Sequence, residues 1–460
     1  MVMLFSTIRY MYMGWIDTQL VEPIIHFNYF GFDWIEPLSK LGMYTIFAVL
    51  AIACLGITLG LFYRLFTALF FLCFTYVELI DITYYLNHYY FVSLVSFLLI
   101  LLPAHKSFSI DAKRNPKIQT DRVNRFFIDV IKLQIAIVYI YAGLAKINYD
   151  WLVEALPLAI WLPAKSSLPI IGFLFEYKAT AYIFSWAGMF FDTFIVFALL
   201  YKRTRLLGFI AVVIFHTLTG ILFQIGVFPL VMILGVTIFF SANWHEKLLK
   251  RIGLVLSFIQ NLFRLYLSRN KFGTLLKDSV KSTLAWKKKV VNPDHFRGPG
   301  IGRFTLAKKL LLPFFILFFS FQLLFPWRHL LYDGNMFWTE EGYRFGWRVM
   351  LMEKAGTATF YVKDGENGRE GSVRNSEFLN EHQEKQMAMQ PDLILQYAHF
   401  LKDHFKAKGM NDPRVRAEVW VTLNANKAKL LIDPNVNLAQ FEDNWRKKSW
   451  ILPFNKAEMQ

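Results

Sequence analysis

"LQIAIVYIYAGLAKINYDWL", residues 133–152, runs for about a dozen residues without a charge and then meets a lysine, Lys146, followed by Asn148, Asp150 and Trp151. Its first part is apolar enough for a membrane interior. The lysine at its end has two readings. It is a snorkelling side chain that reaches an interface, or a buried amine whose chemistry is altered by low dielectric. Which holds depends on where the helix ends lie, and so on the whole topology.

The composition sets the class. Of 460 residues, 55% are hydrophobic, 18% aromatic and 18% charged; soluble chains carry about a quarter charged residues. Long stretches hold almost no charge, as expected of an integral membrane protein with one polar domain. The formal charge of +16 requires no nucleic acid, because membrane proteins concentrate Lys and Arg in cytoplasmic loops. Cys54 and Cys73 both lie in apolar runs and imply no disulfide framework. No N-x-[ST] acceptor occurs, which favours a bacterial chain. Residues 1–19 lack a secretory pattern and read as the last part of a membrane helix.

A spanning helix needs roughly 20 apolar residues. Such runs occur near 43–62, 66–84, 89–103, 131–147, 181–200, 207–222, 226–240 and 310–326. Lysine and arginine crowd into 104–130, 201–205 and 243–309, whereas 14–39 hold Asp17, Glu22, Asp33 and Glu36 with no basic residue. Placing the basic loops in the cytoplasm gives a consistent alternation. Segment 245–275 has helical apolar spacing with Lys/Arg between, suited to an anionic leaflet, and "VNPDHFRGPGIGRF" (291–304) reads as a loop. After 328 the pattern is that of a soluble domain: a hairpin in 357–373, an amphipathic helix in 391–409 and a second hairpin in 417–433.

The predicted fold is therefore an α-helical integral membrane bundle with about eight spanning helices and a partial N-terminal one, carrying a C-terminal α+β extracytoplasmic domain. The divisions expected are 1–240 for the bundle, 241–309 for a basic cytoplasmic segment, 310–327 for the last span and 328–460 for the outer domain.

This topology brings Lys146, His88, His216 and Asp81 to a similar depth near the outer leaflet. Each has an ordinary reading: the lysine snorkels, the histidines bridge helices, and Asp81 is a helix-end partner for Lys146. Asp192 lies deeper, as a structural polar contact. The chain has no CxxC, HExxH, Walker loop, GxGxxG or G-x-S-x-G, so zinc proteases, nucleotide enzymes and hydrolases lack support. No metal site is expected.

With these residues in view, the chain resembles the vitamin K-dependent gamma-glutamyl carboxylases and their bacterial relatives. The likeness is carried by "LGLFYRLFTALFFLCFTYVELIDITYYLNHYY" (59–90), "YAGLAKINYDWL" (141–152), "FHTLTGILFQIGVFP" (215–229), "WTEEGYRFGWRVML" (338–351) and the stretch to "SWILP" (449–453). The resemblance implies that Lys146 is a catalytic base. It maps the family's Asn-His pair onto Asn87 and His88, and its Phe-His segment onto Phe215 and His216. Ala145 stands where animal members carry a second lysine, and "TEEG" and Arg348 depart from the animal pattern around the glutamate site. The implied co-substrates are a reduced vitamin K (a menaquinol- or phylloquinol-type hydroquinone), O₂ and CO₂. The implied partner is a glutamate-containing peptide or protein, met at a bacterial plasma membrane.

The physical requirement agrees. A glutamate γ-hydrogen is far too weakly acidic for a base tuned to neutral pH, so a stronger one must be generated by oxidising a cofactor. The protein needs a base for a hydroquinone whose acidity is near that of a phenol, about 10. Lys146 is expected to be that base, with His216 stabilising developing negative charge and Asn87 and His88 holding a polar group. The expectation is one cavity shared by Lys146, His88 and His216, covered by the outer domain. Trp338, Tyr343 and Trp347 are expected to line its wet entrance and contact the peptide, interfacial anchoring being the alternative. Two further functions stay open: a quinol epoxidase or oxidase that carboxylates no peptide, and a non-catalytic membrane receptor or scaffold.

Overall fold

A computed structural model of the chain describes residues 1–120, 122–223, 225–269 and 306–454. Helices α1 (Val2–Tyr12), α2 (Lys40–Leu59), α3 (Tyr63–Ile80), α4 (Asn87–Leu101), α5 (Arg125–Ala145), α6 (Lys178–Leu200), α7 (Arg205–Leu222) and α8 (Phe228–Gly235) form the N-terminal part. α9 (Ala242–Arg269) and α10 (Leu306–Leu324) follow.

The ends of these helices are written in the sequence. Ser39 caps α2 by accepting from the Gly42 amide, and Gly60 terminates it at φ +61, a conformation that glycine adopts without a Cβ penalty. Asn124 caps α5 through the Phe126 amide. Packing uses glycine as well: a Cβ on Gly56 would fall 2.1 Å from the Phe66 ring, so α2 and α3 meet there.

Six helices among the described residues are long and apolar enough to cross a membrane: α2, α3, α5, α6, α7 and Leu311–Leu331, which extends α10 by a 3-10 turn. Asn87–Leu101 and Phe228–Phe239 are shorter. Of the eight runs expected to span, six are helices of that length and two are shorter apolar helices. The 15 residues of α4 rise about 22 Å, less than a hydrocarbon core of about 30 Å. The reason is local. Asp81 turns the chain out of α3 and accepts from both the amide and hydroxyl of Thr83, so residues 81–86 leave the helix before α4 begins. The amphipathic helix expected in 245–275 is present as α9 up to Arg269, and the remainder, with the loop at 291–304, lies outside the described residues.

The C-terminal region is α+β as expected. A four-stranded antiparallel sheet has the order β2 (Glu370–Val373), β1 (Lys354–Lys363), β3 (Arg414–Leu423), β4 (Lys429–Leu430). The β1–β3 ladder runs from Lys354↔Leu423 to Lys363↔Arg414. Alternate residues Val415, Ala417, Val419, Val421 and Leu423 are buried, as period-2 alternation demands. They pack on Leu393, Ile394, Tyr397, Ala398 and Leu401 of α12 (Pro391–Ala407), which follows α11 (Glu381–Met387).

This region is fastened to the N-terminal part by polar contacts to three segments. Gln383 donates to Asp81 Oδ2 and to the Ile25 carbonyl, each at 2.8 Å. Gln396 bonds both the amide and carbonyl of Asn28. Asn424 reaches Asp150 at 2.8 Å, and Asn87 donates to the Arg348 carbonyl at 2.9 Å. Asp81 is therefore a docking residue for the C-terminal region, and not the partner of Lys146 expected from its helix-end position. Burial pushes its carboxyl up to about 6.

Candidate active site

The "AGLAKINYDW" stretch is a device for placing one amine. A Cβ on Gly143 would fall 2.3–2.8 Å from Thr193 of α6, so α5 and α6 touch at this glycine. That contact sets Lys146, at the C-cap of α5, beside Asp192, the residue before Thr193. Lys146 Nζ lies 2.7 Å from Asp192 Oδ2 and also donates to the Ala142 carbonyl at 3.2 Å. Both side chains are 7% exposed. The Nζ sits 5.3 Å over the ring of Trp151, whose indole donates to the Ser185 carbonyl at 2.8 Å. Asn148 accepts from the Trp151 amide and donates to the Ala145 carbonyl, which caps the short helix carrying that tryptophan. Lys146 is thus turned inward into a buried ion pair and does not snorkel.

Two turns earlier on the same face of α5, Tyr139 shares a 2.7 Å hydrogen bond with His216 Nε2. The rings of Phe191, Phe215 and Phe228 surround that imidazole at centroid distances of 5.3–6.3 Å. His216 Nδ1 has no hydrogen-bond partner among the described residues. Phe228 in turn lies 5.4 Å from the ring of His88. Ring contacts thus link His216 through Phe228 to His88.

His88 opens onto a cavity of about 1040 Å³ between the membrane helices and the C-terminal region. Asn87, Phe228, Tyr343 and Arg348 also line it. Of the three residues expected to share one cavity, His88 reaches the lining, as does Asn87, whereas His216 and Lys146 do not line it. Asn87 has both amide atoms engaged, accepting from Tyr85 at 3.0 Å as well as holding Arg348. Tyr343 lies on the wall. Trp338 and Trp347 do not line a wet entrance: each is 1% exposed. Trp338 donates to the Leu452 carbonyl inside the C-terminal core, and Trp347 stacks on Tyr90 at 5.0 Å. Flat amphipathic rings suit a rim and a core equally, and here packing took two of the three. Sequence reasoning passed over Asp192 as a partner and Tyr139 altogether. The signal for Tyr139 was its spacing of two helical turns from Lys146.

The N-terminal residues 1–244 match the family model of the HTTM domain. Residues 307–457 match that of the vitamin K-dependent gamma-carboxylase lumenal domain. The chain belongs to the vitamin K-dependent gamma-carboxylase family. No solved structure matches it. This carboxylase-family chain is an integral membrane protein by its spans and its matched domains, and a carboxylase-like function follows from the family. Its site also fits the vitamin K-type quinol that the family implies. A flat apolar molecule with polar oxygens suits the aromatic shell around His216, whose buried Nδ1 has no partner among the described residues, since buried polar atoms ordinarily find partners.

Proposed function

We propose that this family member is a membrane-bound gamma-glutamyl carboxylase. It would couple O₂-dependent oxidation (epoxidation) of a reduced vitamin K-type quinone to carboxylation of glutamate in a peptide or protein. The observation that supports this best is the buried Lys146–Asp192 pair, joined through Tyr139–His216 and Phe228 to His88 on the cavity wall. Burying such a pair costs several kcal/mol per ion in desolvation, and a scaffold has no need of it.

When bound, the quinol supplies on oxidation by O₂ the strong base that the glutamate γ-hydrogen requires. The chain's own residues do the remaining work. Lys146 Nζ passes a proton to Asp192 Oδ2 across their 2.7 Å contact, which frees the amine to take the proton of a phenol-like hydroxyl. Tyr139 fixes the His216 ring through Nε2 and leaves Nδ1 for a ligand oxygen that gains negative charge. Phe191, Phe215 and Phe228 keep water from that oxygen. His88 and Tyr343 face the cavity where the peptide enters, and Asn87 ties this membrane helix to the Arg348 segment. Trp338 and Trp347 hold the wall from behind. Lysine and arginine placement supports a position of residues 328–460 outside the cytoplasm of a bacterial cell, with the quinol arriving laterally from the bilayer.

The test is ¹⁴CO₂ incorporation into a glutamyl peptide with reduced vitamin K and O₂, with quinone products measured in parallel. Labelled peptide together with oxidised quinone is expected. Oxidised quinone with no labelled peptide would reduce the protein to a quinol oxidase, and neither product would leave the receptor or scaffold reading.

A further inference from the structure

A second cavity, of about 520 Å³, lies at the end of α3 opposite to Asp81, where the turn from α2 meets the segment after α4. Its frame is held by Asp111. The two carboxylate oxygens of that residue accept from the amides of Phe62 and Tyr63, each at 2.9 Å, and its own amide donates to the Gly60 carbonyl. Ser109 caps the short helix Ile110–Arg114 through the Ala112 amide at 3.0 Å. A Cβ on Gly60 would fall 2.3 Å from the Ser109 Cβ, so the turn and the segment touch there.

Charge at this cavity is one-sided. Between 102 and 118, Lys106, Lys113, Arg114 and Lys117 stand against Asp111 alone, and both oxygens of Asp111 are engaged by backbone. Arg64 and Arg114 line the cavity, and neither makes an ion pair or a hydrogen bond among the described residues. The Arg114 guanidinium sits 4.4 Å over the Phe62 ring, a contact that occupies none of its N–H groups. His105 lines the same cavity, stacked on Tyr63 at 5.3 Å. Its Nδ1 is buried with no hydrogen-bond partner among the described residues, and buried polar atoms ordinarily find one. Burial, and then the charge of Arg64, hold the His105 imidazole below its ordinary value, so Arg64 and His105 act on one space.

The surroundings indicate what an occupant must look like. Helices α2 and α3 are both long and apolar enough to cross a membrane, so the turn joining them lies at the level of lipid headgroups. Phe62, Leu65 and Phe108 are 50%, 56% and 72% exposed. Exposed apolar side chains beside unpaired guanidinium groups match a molecule that is apolar at one end and anionic at the other.

We propose that this cavity binds the phosphate of an anionic phospholipid headgroup, with Arg64 and Arg114 on the phosphate oxygens and Phe62 and Leu65 against the first carbons of the acyl chains. The site is independent of the carboxylase reading and lies away from the cavity that His88 lines. Guanidinium groups match phosphate oxygens in paired hydrogen bonds, and His105 Nδ1 would gain its missing partner. Free phosphate shares this chemistry, and the exposed apolar rim favours the lipid.

The experiment is native mass spectrometry of the full chain, released from a neutral detergent after titration with phosphatidylglycerol or with phosphatidylcholine. The wild type is expected to hold its first phosphatidylglycerol about thirtyfold more tightly than phosphatidylcholine, about fivefold for each arginine. Arg64→Gln combined with Arg114→Gln should bring that ratio near one. Arg114→Gln alone, which alters only the contact to Phe62, should lower it about fivefold and serves if the double variant fails to fold. Lys202→Gln combined with Arg203→Gln, on the exposed turn before α7, should leave it unchanged. A wild-type ratio near one, or a ratio that the arginine variants do not move, would overturn the proposal. An equal fall on removing Lys202 and Arg203 would reduce the effect to general surface charge and overturn it too. Displacement of phosphatidylglycerol by millimolar inorganic phosphate would assign the cavity to the free ion and overturn the lipid assignment.

Discussion

The two walls of this site bury charge in opposite ways. On the membrane side one ion pair, Lys146–Asp192, sits among aromatic rings with a single further acceptor at Ala142. On the C-terminal side charges are dense and cross-linked: Arg344 with Asp392 and Gln390, Lys354 with Glu340 and the Trp338 carbonyl, Arg348 with only neutral partners. A sparse pair in an apolar shell is suited to moving a proton, because little else competes for it and the surrounding apolar packing disfavours water. A dense wall with an excess of guanidinium is suited to recognising an anionic group. Under the proposed function the difference divides the labour: chemistry below, recognition above.

The comparison can be broken most strongly at the pair. Asp192→Ala leaves Lys146 buried and unpaired, which should cost about 3–5 kcal/mol of stability, read as a lower Tm in detergent. Replacing both members, Lys146→Met with Asp192→Leu, should recover most of that Tm while quinol oxidation stays abolished. If the single and double variants melt alike, the pair is a surface-like contact and the contrast between the walls falls.

A smaller effect tests how the walls are joined. The Asp81 carboxyl titrates at about 6 when folded, against 3.8 unfolded. The folded protein therefore binds more protons between those values, so this stabilising term is complete below about pH 4 and is lost as pH rises through 6. The loss is about 3 kcal/mol at 1.36 kcal/mol for each pH unit. Asp81→Asn should flatten that part of the Tm-versus-pH curve, since an amide oxygen still accepts from Gln383. An unchanged slope would place the titration elsewhere. Smallest is Tyr139→Phe, which removes one buried hydroxyl from His216. It should cost about 1 kcal/mol of stability and slow quinol oxidation about tenfold, with peptide affinity unaltered. A change in peptide affinity instead would merge the two walls into one functional unit.

Much of this was readable along the chain. The apolar runs and their basic loops led to the bundle, and the hairpin and helix patterns after 328 led to the sheet order's components. Lys146, His88 and His216 came forward as candidates because helix ends can be counted. What the sequence hid were pairings across helices. Asp192 is 46 positions from Lys146, and their meeting depends on Gly143 admitting Thr193, which in one dimension is only a small residue in an apolar run. Asp81 was misread because helix-end position says nothing of which neighbour arrives, and Gln383 comes from a different layer of the molecule. Trp338 and Trp347 were misplaced because their composition fits rim and core alike.

The central claim is that Lys146 is a base and not an anchor, and one substitution separates these. In Lys146→Arg the charge and the contact to Asp192 are kept, but a guanidinium does not give up its proton. O₂-dependent quinol oxidation at neutral pH should therefore be abolished in a protein that melts near the wild type. Near-normal oxidation by Lys146→Arg would contradict the account.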